Sequence, residues 1–302
     1  KEKKTDMART TRPVTSDYDY NVVMEDMFTA DGNKTGWKCT RRLDTGNVIA
    51  PVTKDYNICQ NADVINTSRD AFESVGLDNY KESINVCRDG AVMRAVYDFP
   101  EHTRQLKVKG KKVGDEVGLR LVVNNSFDRS RKVSFDLGML RLVCTNGMTT
   151  MEKELSIARK HSSKLSLDFI VDAVNKAVSK FDDLMKEGNI FDKMANYEVS
   201  QDQGLYILQN LVKANTISEV TREGISQVWN NPRQEDEGRN VYNLLNASTD
   251  YLTHQVSESR FELSDRVTQN VTKRLANAVR KPALMEKLLI KPKVEAELTI
   301  SE

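Results

Sequence analysis

The chain carries few of the signatures that announce a reaction. Its three histidines, His102, His161 and His254, lie far apart and without local partners. Lys109-Gly110-Lys111 lacks the companion glycine and the Ser or Thr of a phosphate-cradling loop. No Gly-x-Ser-x-Gly elbow, His-Glu-x-x-His helix or dinucleotide glycine fingerprint occurs. Carboxylates abound, but apolar surroundings distinguish no pair of them. A nuclease with scattered carboxylates and a divalent metal is the one catalytic class this pattern leaves open. No resident cofactor is expected.

Cysteine is scarce as well. Cys39, Cys59, Cys87 and Cys144 form no Cys-x-x-Cys pair, and a zinc site needs its ligands clustered. Each sits in an apolar or strand-like run, which predicts buried, reduced thiols without metal and a reducing cytoplasm. No stretch of about 18 apolar residues exists to span a membrane. No apolar signal segment opens the chain, and its first residue is Lys, as in a chain that begins inside its gene product. Charge of one sign is missing too: 45 Lys and Arg face 44 acids. A near-neutral balance argues against coating a bulk polyanion and moves any anion affinity to local clusters.

What the chain does have is sheet. From Gly118 to Met151 three apolar runs appear, Leu119–Val123, Val133–Leu137 and Met139–Cys144. Val133, Phe135 and Leu137 alternate with Ser134 and Asp136, the period of a half-buried strand. Asn124–Lys132 reads as an exposed polar tip, Gly138 as a bend, and Asn146-Gly147 as the end of the sheet, with the Asn146 amide tying off backbone groups. Upstream, Asp44-Thr45-Gly46 and Asp89-Gly90 are turns between strand-like runs, Trp37–Leu43 with Asn47–Val52 and Tyr80–Arg88 with Ala91–Phe99. Asn61 is positioned to cap a helix running to about Val75.

After Met151 the period changes to that of helix. Phe169, Ile170, Ala173, Val174, Ala177, Phe181, Leu184 and Met185 form one stripe, ended by Gly188. Ser200 with Gln203 and Thr216 with Glu219 have capping-box spacing. Asn240–Gln255 and Ser264–Val279 read as further helices. The layout is α+β: a mobile basic arm at 1–19, an antiparallel sheet domain with one helix at 20–150, a helical domain at 151–281, and a charged tail at 282–302.

Two basic loops are the clearest chemical signal. Lys107, Lys109, Lys111 and Lys112 sit together with Arg104 before them, and Arg129, Arg131 and Lys132 crown the hairpin tip. Clustered cations hold phosphates in a salt-dependent way. An aromatic beside them stacks on bases, and Phe127 and Tyr97 are the candidates. The bland alternative makes both loops solvated turns. Arg260, Arg266, Lys273, Arg274, Arg280 and Lys281 suit the outer faces of helices. His161, after Arg159-Lys160, reads as a polar contact at a helix entry.

At these residues a family resemblance appears. Asn124-Asn125-Ser126-Phe127-Asp128, the strand end Leu140-Arg-Leu-Val-Cys-Thr-Asn146 and Arg159-Lys-His-Ser162 resemble a phage/plasmid-like family built on a domain of unknown function, of the DUF932 type. Tyr56-Asn-Ile-Cys-Gln-Asn61 and the stretch from Tyr242 to His254 are similar to other pieces of that family, so the likeness covers about residues 36–255. Phe127 and Arg129 stand where the family has His and Gly. The resemblance implies a bacteriophage, prophage or plasmid gene acting in the bacterial host cytoplasm. The order of elements, hairpins then helices, is also similar to the phage single-strand annealing recombinases of the RecT and Redβ type. The reading that follows is a non-enzymatic single-stranded DNA-binding protein, with strand annealing in recombination or replication as the expected role. It would act as a homo-oligomeric ring or filament, with no membrane partner. The alternatives are an assembly component or host-defence inhibitor whose partner is protein, and a cryptic metal-dependent nuclease.

Overall fold

Period-two alternation becomes two antiparallel sheets. The computed structural model describes residues 17–105, 116–141, 146–149, 156–256 without 185, 187, 188, 234, 235 and 237, and 261–292. Strands β1 (Val22–Phe28), β2 (Lys34–Arg42) and β3 (Val48–Thr53) form a three-stranded sheet in that order. The turn after β2 has Gly46 at φ +75°, a backbone conformation open to glycine. Helix α1 (Asn61–Ser74) follows. Strands β4 (Lys81–Cys87), β5 (Val92–Gln105), β6 (Glu116–Ser126), β7 (Val133–Arg141) and β8 (Asn146–Thr149) lie side by side in that order, and β9 (Ser156–Arg159) pairs with the other half of β7.

The back half is helical: α2 (Phe169–Leu184), α3 (Ile190–Ala195), α4 (Gln201–Lys213), α5 (Glu219–Asn230), α6 (Val241–Asp250), α7 (Phe261–Arg280) and α8 (Pro282–Leu289). A π-helical turn, Tyr251–Gln255, extends α6. The fold is α+β, as the two periodicities imply.

Several local expectations need correction. Val133–Leu137 and Met139 onward are one strand, since Gly138 sits inside β7 opposite Arg120 and makes no bend. Asn146-Gly147 opens β8 instead of ending the sheet. The side chain of Asn146 lies outside the described residues, as do Cys144, residues 1–16 of the basic arm and residues 293–302 of the tail. The start of that tail, by contrast, is the helix α8, with Met285 and Leu288 buried. Asn61 is not a cap. Gln60 takes that position, and its side chain instead accepts from Val22 N (3.1 Å) and donates to Val22 O (2.8 Å), as a strand neighbour would. Ser200 and Gln203 do form the reciprocal capping box of α4. Ser218, rather than Thr216, caps α5 by accepting from Thr221 N at 3.2 Å.

The core lies between the large sheet and the helices. Cross-strand rows Tyr97–Leu121–Leu137 and Phe99–Leu119–Met139 cover one face. Phe72 of α1 meets the Tyr97 and Phe99 rings edge-on, with centroids 4.8 and 5.2 Å away. One continuous set of buried side chains runs from Tyr20 through the sheet into α2–α8. The opposite sheet face is polar: Arg120 forks onto Asp98, and Asn124, Ser134 and Ser156 all donate to Asp136. Burial pushes the Asp136 carboxyl above the usual range, against the pull of those donors. On this face Arg94 holds Asp265 of α7 through two bonds, 2.6 and 2.8 Å, joining the halves.

Candidate nucleic-acid interface

The hairpin tip between β6 and β7 is built inward and charged outward. Ser126 Oγ accepts from Arg131 N (3.0 Å) and donates to Arg131 O (2.9 Å), which closes the loop. Asp128 caps the turn by accepting from Ser130 N at 2.9 Å. Arg129 adopts φ +66°, a left-handed conformation uncommon outside glycine. These constraints leave Arg129, Ser130 and Lys132 exposed.

Phe127 corrects the sequence reading. Its side chain is 0 % exposed and packs edge-on to Tyr20 at 6.2 Å. Its backbone is pinned on both sides, N to Ala91 O at 2.7 Å and O to the Thr40 hydroxyl at 2.8 Å. An apolar ring at the end of a buried strand row is worth more inside than against solvent. Phe127 therefore anchors the tip and has no face free for a base. Tyr97 is likewise buried, in the α1 contact. Arg131 turns back onto the sheet, its guanidinium donating to Asn124 Oδ1 at 2.8 Å. The side chain of Arg104 and residues Lys107, Lys109, Lys111 and Lys112 lie outside the described residues.

The β7–β9 pairing supplies cations that linear reading missed. Val133 sits opposite Arg159, so Arg159-Lys160 lies alongside Lys132 at the rim of the sheet. Lys164 follows in a turn closed by Leu165 N to Ser162 O at 2.8 Å. Arg129, Lys132, Arg159, Lys160 and Lys164 are exposed, and none has an ion-pair partner among the described residues. Arg159 rests over the Phe169 ring at 5.3 Å. The Arg-Lys run after an alternating segment was visible in sequence. Its register against a strand more than twenty residues earlier was not.

A buried polar layer supports the rim. The His161 ring stacks on Tyr56, centroids 4.9 Å apart and 19° from parallel. His161 Nδ1 lies 3.1 Å from Asn57 O, which makes Nδ1 the protonated nitrogen of the neutral ring. Burial pulls the His161 pKa down, and the bond to Asn57 offsets this only in part. Tyr56 Oη donates to Ser126 O at 2.7 Å. Asn125 Nδ2 donates to Cys59 O and Asn61 Oδ1, both at 2.8 Å, and Asn61 Nδ2 donates to Tyr20 Oη at 3.2 Å. Tyr20 Oη donates in turn to Gly90 O at 2.6 Å. Burial pushes the Tyr20 hydroxyl up to about 12 and the Cys59 thiol up to about 11, so both stay protonated at neutral pH. Cys39 and Cys87 are buried as well. Chemically, this layer offers neutral donors and acceptors, most of them bonded to one another, while Asn125 Oδ1 and His161 Nε2 are buried without a hydrogen-bond partner among the described residues.

Thus the Tyr56–Asn61, Asn124–Ser126 and Arg159–His161 motif pieces converge on one place. The stretch from Tyr242 to His254 lies elsewhere. There α6 is buried throughout, Arg233 donates to Asp250 at 2.6 Å, and His254 Nε2 stands 3.7 Å from the same carboxylate.

The family model for a domain of unknown function (DUF932) matches residues 48–281, a span that contains all these pieces except the first strands. No curated protein and no solved structure matches the chain.

Proposed function

For a chain that belongs to the DUF932 family, whose activity its description leaves open, we propose single-stranded nucleic-acid binding through the rim at the β6–β7 tip. The observation that carries this reading is the rim itself: Arg129, Lys132, Arg159, Lys160 and Lys164 are exposed and without ion-pair partners among the described residues, in a chain of net charge +1. A local surplus of cations in a near-neutral protein is the arrangement that phosphate contacts need. The Lys107–Lys112 segment connects Gln105 to Glu116, at the end of β6 away from the tip, and the proposal does not draw on it. A strand-annealing role, assembly into a ring or filament, and a phage or plasmid setting in a bacterial cytoplasm follow from the family resemblance and the order of elements. They extend the proposal without resting on the rim.

Anisotropy of a labelled oligonucleotide across a salt series tests it. Four to five phosphate contacts give a slope of about −3 to −3.5 for single strands. Replacing Arg129, Lys132, Arg159 and Lys160 together with Ala should flatten that slope by about 2 to 3, with the fold retained. The strand should remain intact in magnesium or manganese, since the proposal involves no cleavage. Absence of binding at low salt by the full chain would overturn the proposal and favour a protein partner.

A further inference from the structure

With Phe127 buried, the rim holds phosphates but lacks a surface for bases. The three-stranded sheet offers one. Its β2 hydroxyl Thr40 bonds Phe127 O at the hairpin tip, and Val52, paired with Lys38, is buried on the same face. That face is thus packed at the Thr40 end. Successive side chains along a strand point to opposite faces, so Lys38 continues the Thr40 face outward, and Lys34 returns to it past a bulge in β2, where the register against β1 shifts between Asp26 and Phe28. The ion pairs agree with this: Lys34 and Lys38 both reach Asp26 of β1, at 2.6 and 3.9 Å. Phe28, paired with Lys34, lies at the far end and is 60 % exposed. Between the two lysines stands Gly36, and a Cβ built there would meet nothing within 4 Å.

We propose that this face, floored by Gly36 and bounded by Phe28, Lys34 and Lys38, is the base-stacking slot for the single strand whose backbone the rim holds. The inference rests on the nucleic-acid reading above and deepens it. Gly36 lies in the β2 bulge, where the backbone is left open on this face. An aromatic ring beside lysines is the sequence-tolerant platform of single-strand binders. The two lysines share one carboxylate, which they keep ionised below the usual range, so the slot carries one surplus positive charge. It therefore contributes stacking more than charge, and the salt slope belongs to the rim. The exposed Trp37 ring is on the opposite face of β2 and takes no part.

The test uses the full chain and a labelled oligothymidylate in anisotropy titrations. Gly36→Leu fills the slot at a position with no strained φ and no neighbouring atom, so its melting temperature should match the wild type while affinity falls by about tenfold or more. Phe28→Ala should weaken binding about 5- to 150-fold, the range for one lost base stack, with the salt slope unchanged. Trp37→Ala on the opposite face should bind within about twofold of wild type. Wild-type affinity in both Gly36→Leu and Phe28→Ala, alongside weakening in the rim variant, overturns the slot and leaves the rim reading standing. The same holds if those two variants alter self-association instead of DNA binding. Failure of the wild type to bind at all removes both.

Discussion

His161, which reads in sequence as a polar contact, is a stacked and largely buried ring in the fold. It stacks on Tyr56, gives its Nδ1 proton to Asn57 O, and is held neutral by burial. Its folded pKa lies below the ordinary value, so the unfolded chain takes up a proton that the folded chain refuses. Stability should therefore fall as pH drops below about 6.5, the ordinary histidine value, and reach its full loss below the folded pKa. His161→Phe keeps an aromatic ring on Tyr56 and should remove this part of the acid sensitivity. Urea midpoints at neutral and mildly acidic pH, compared between the two proteins, provide the check. Equal acid sensitivity in both would show that His161 is solvated in the fold. None of this was legible in the residue alone. The Arg159-Lys160-His161 run was conspicuous, but its stack on Tyr56 spans about a hundred residues of chain. Phe127 teaches the same lesson in reverse: its neighbours are polar, and only the buried row beneath the tip decides its direction.

At the scale of elements, period and punctuation carried far. The Asp44-Thr45-Gly46 and Asp89-Gly90 turns, the α2 stripe and the Ser200 capping box all stand where alternation and cap chemistry put them. The misses have physical reasons. Gly138 lacks a side chain but keeps a strand backbone, so it reads as punctuation without being so. Thr216 has the right spacing to Glu219, yet it is buried and its own N is bound by Leu211 O. At Gly204 packing overrides local propensity. A glycine inside an exposed helix normally costs about 1 kcal/mol relative to alanine. In α4, however, a Cβ at this position would stand 2.4 Å from Cε2 of Trp229, a ring 1 % exposed whose Nε1 is fixed on Gln201 O at 3.0 Å. Gly204→Ala should thus destabilise by about 1–3 kcal/mol, the scale of core overpacking, despite its better propensity. Thermal unfolding decides the sign, and a stabilised variant would mean that the α4–α5 contact is looser than described.

Across the whole molecule, the sheet and the helices share one core, and an internal ion pair joins them. Arg94 and Asp265 side chains are 12 % and 16 % exposed and meet in a two-bond fork. Removing one partner leaves the other charged and poorly solvated. Asp265→Ala should cost about 3 kcal/mol, and the double variant with Arg94→Ala should cost less than the sum of the two single ones. Denaturant unfolding followed by circular dichroism and by tryptophan fluorescence measures both the cost and the unity of the transition. Separate transitions in the wild type would mean that sheet and helices unfold independently. The change of period after Met151 was visible, from two to that of helix, although β9 still belongs to the large sheet. The pairing across it was not, because nothing local in Arg94 or Asp265 marks a partner so far along the chain.

The joints around the hairpin tip have one more property. Tyr20 binds Gly90, Thr40 binds Phe127, Tyr56 binds Ser126, and Asn125 binds Cys59, each time with a side chain giving its hydrogen to a main-chain carbonyl. A carbonyl is present whatever amino acid occupies its position, whereas the hydroxyl or amide is lost by a single codon change. Inheritance is therefore lopsided at these joints. Across related genes, drift should be tolerated at the receiving position Cys59, and purged at Tyr20, Thr40, Tyr56 and Asn125.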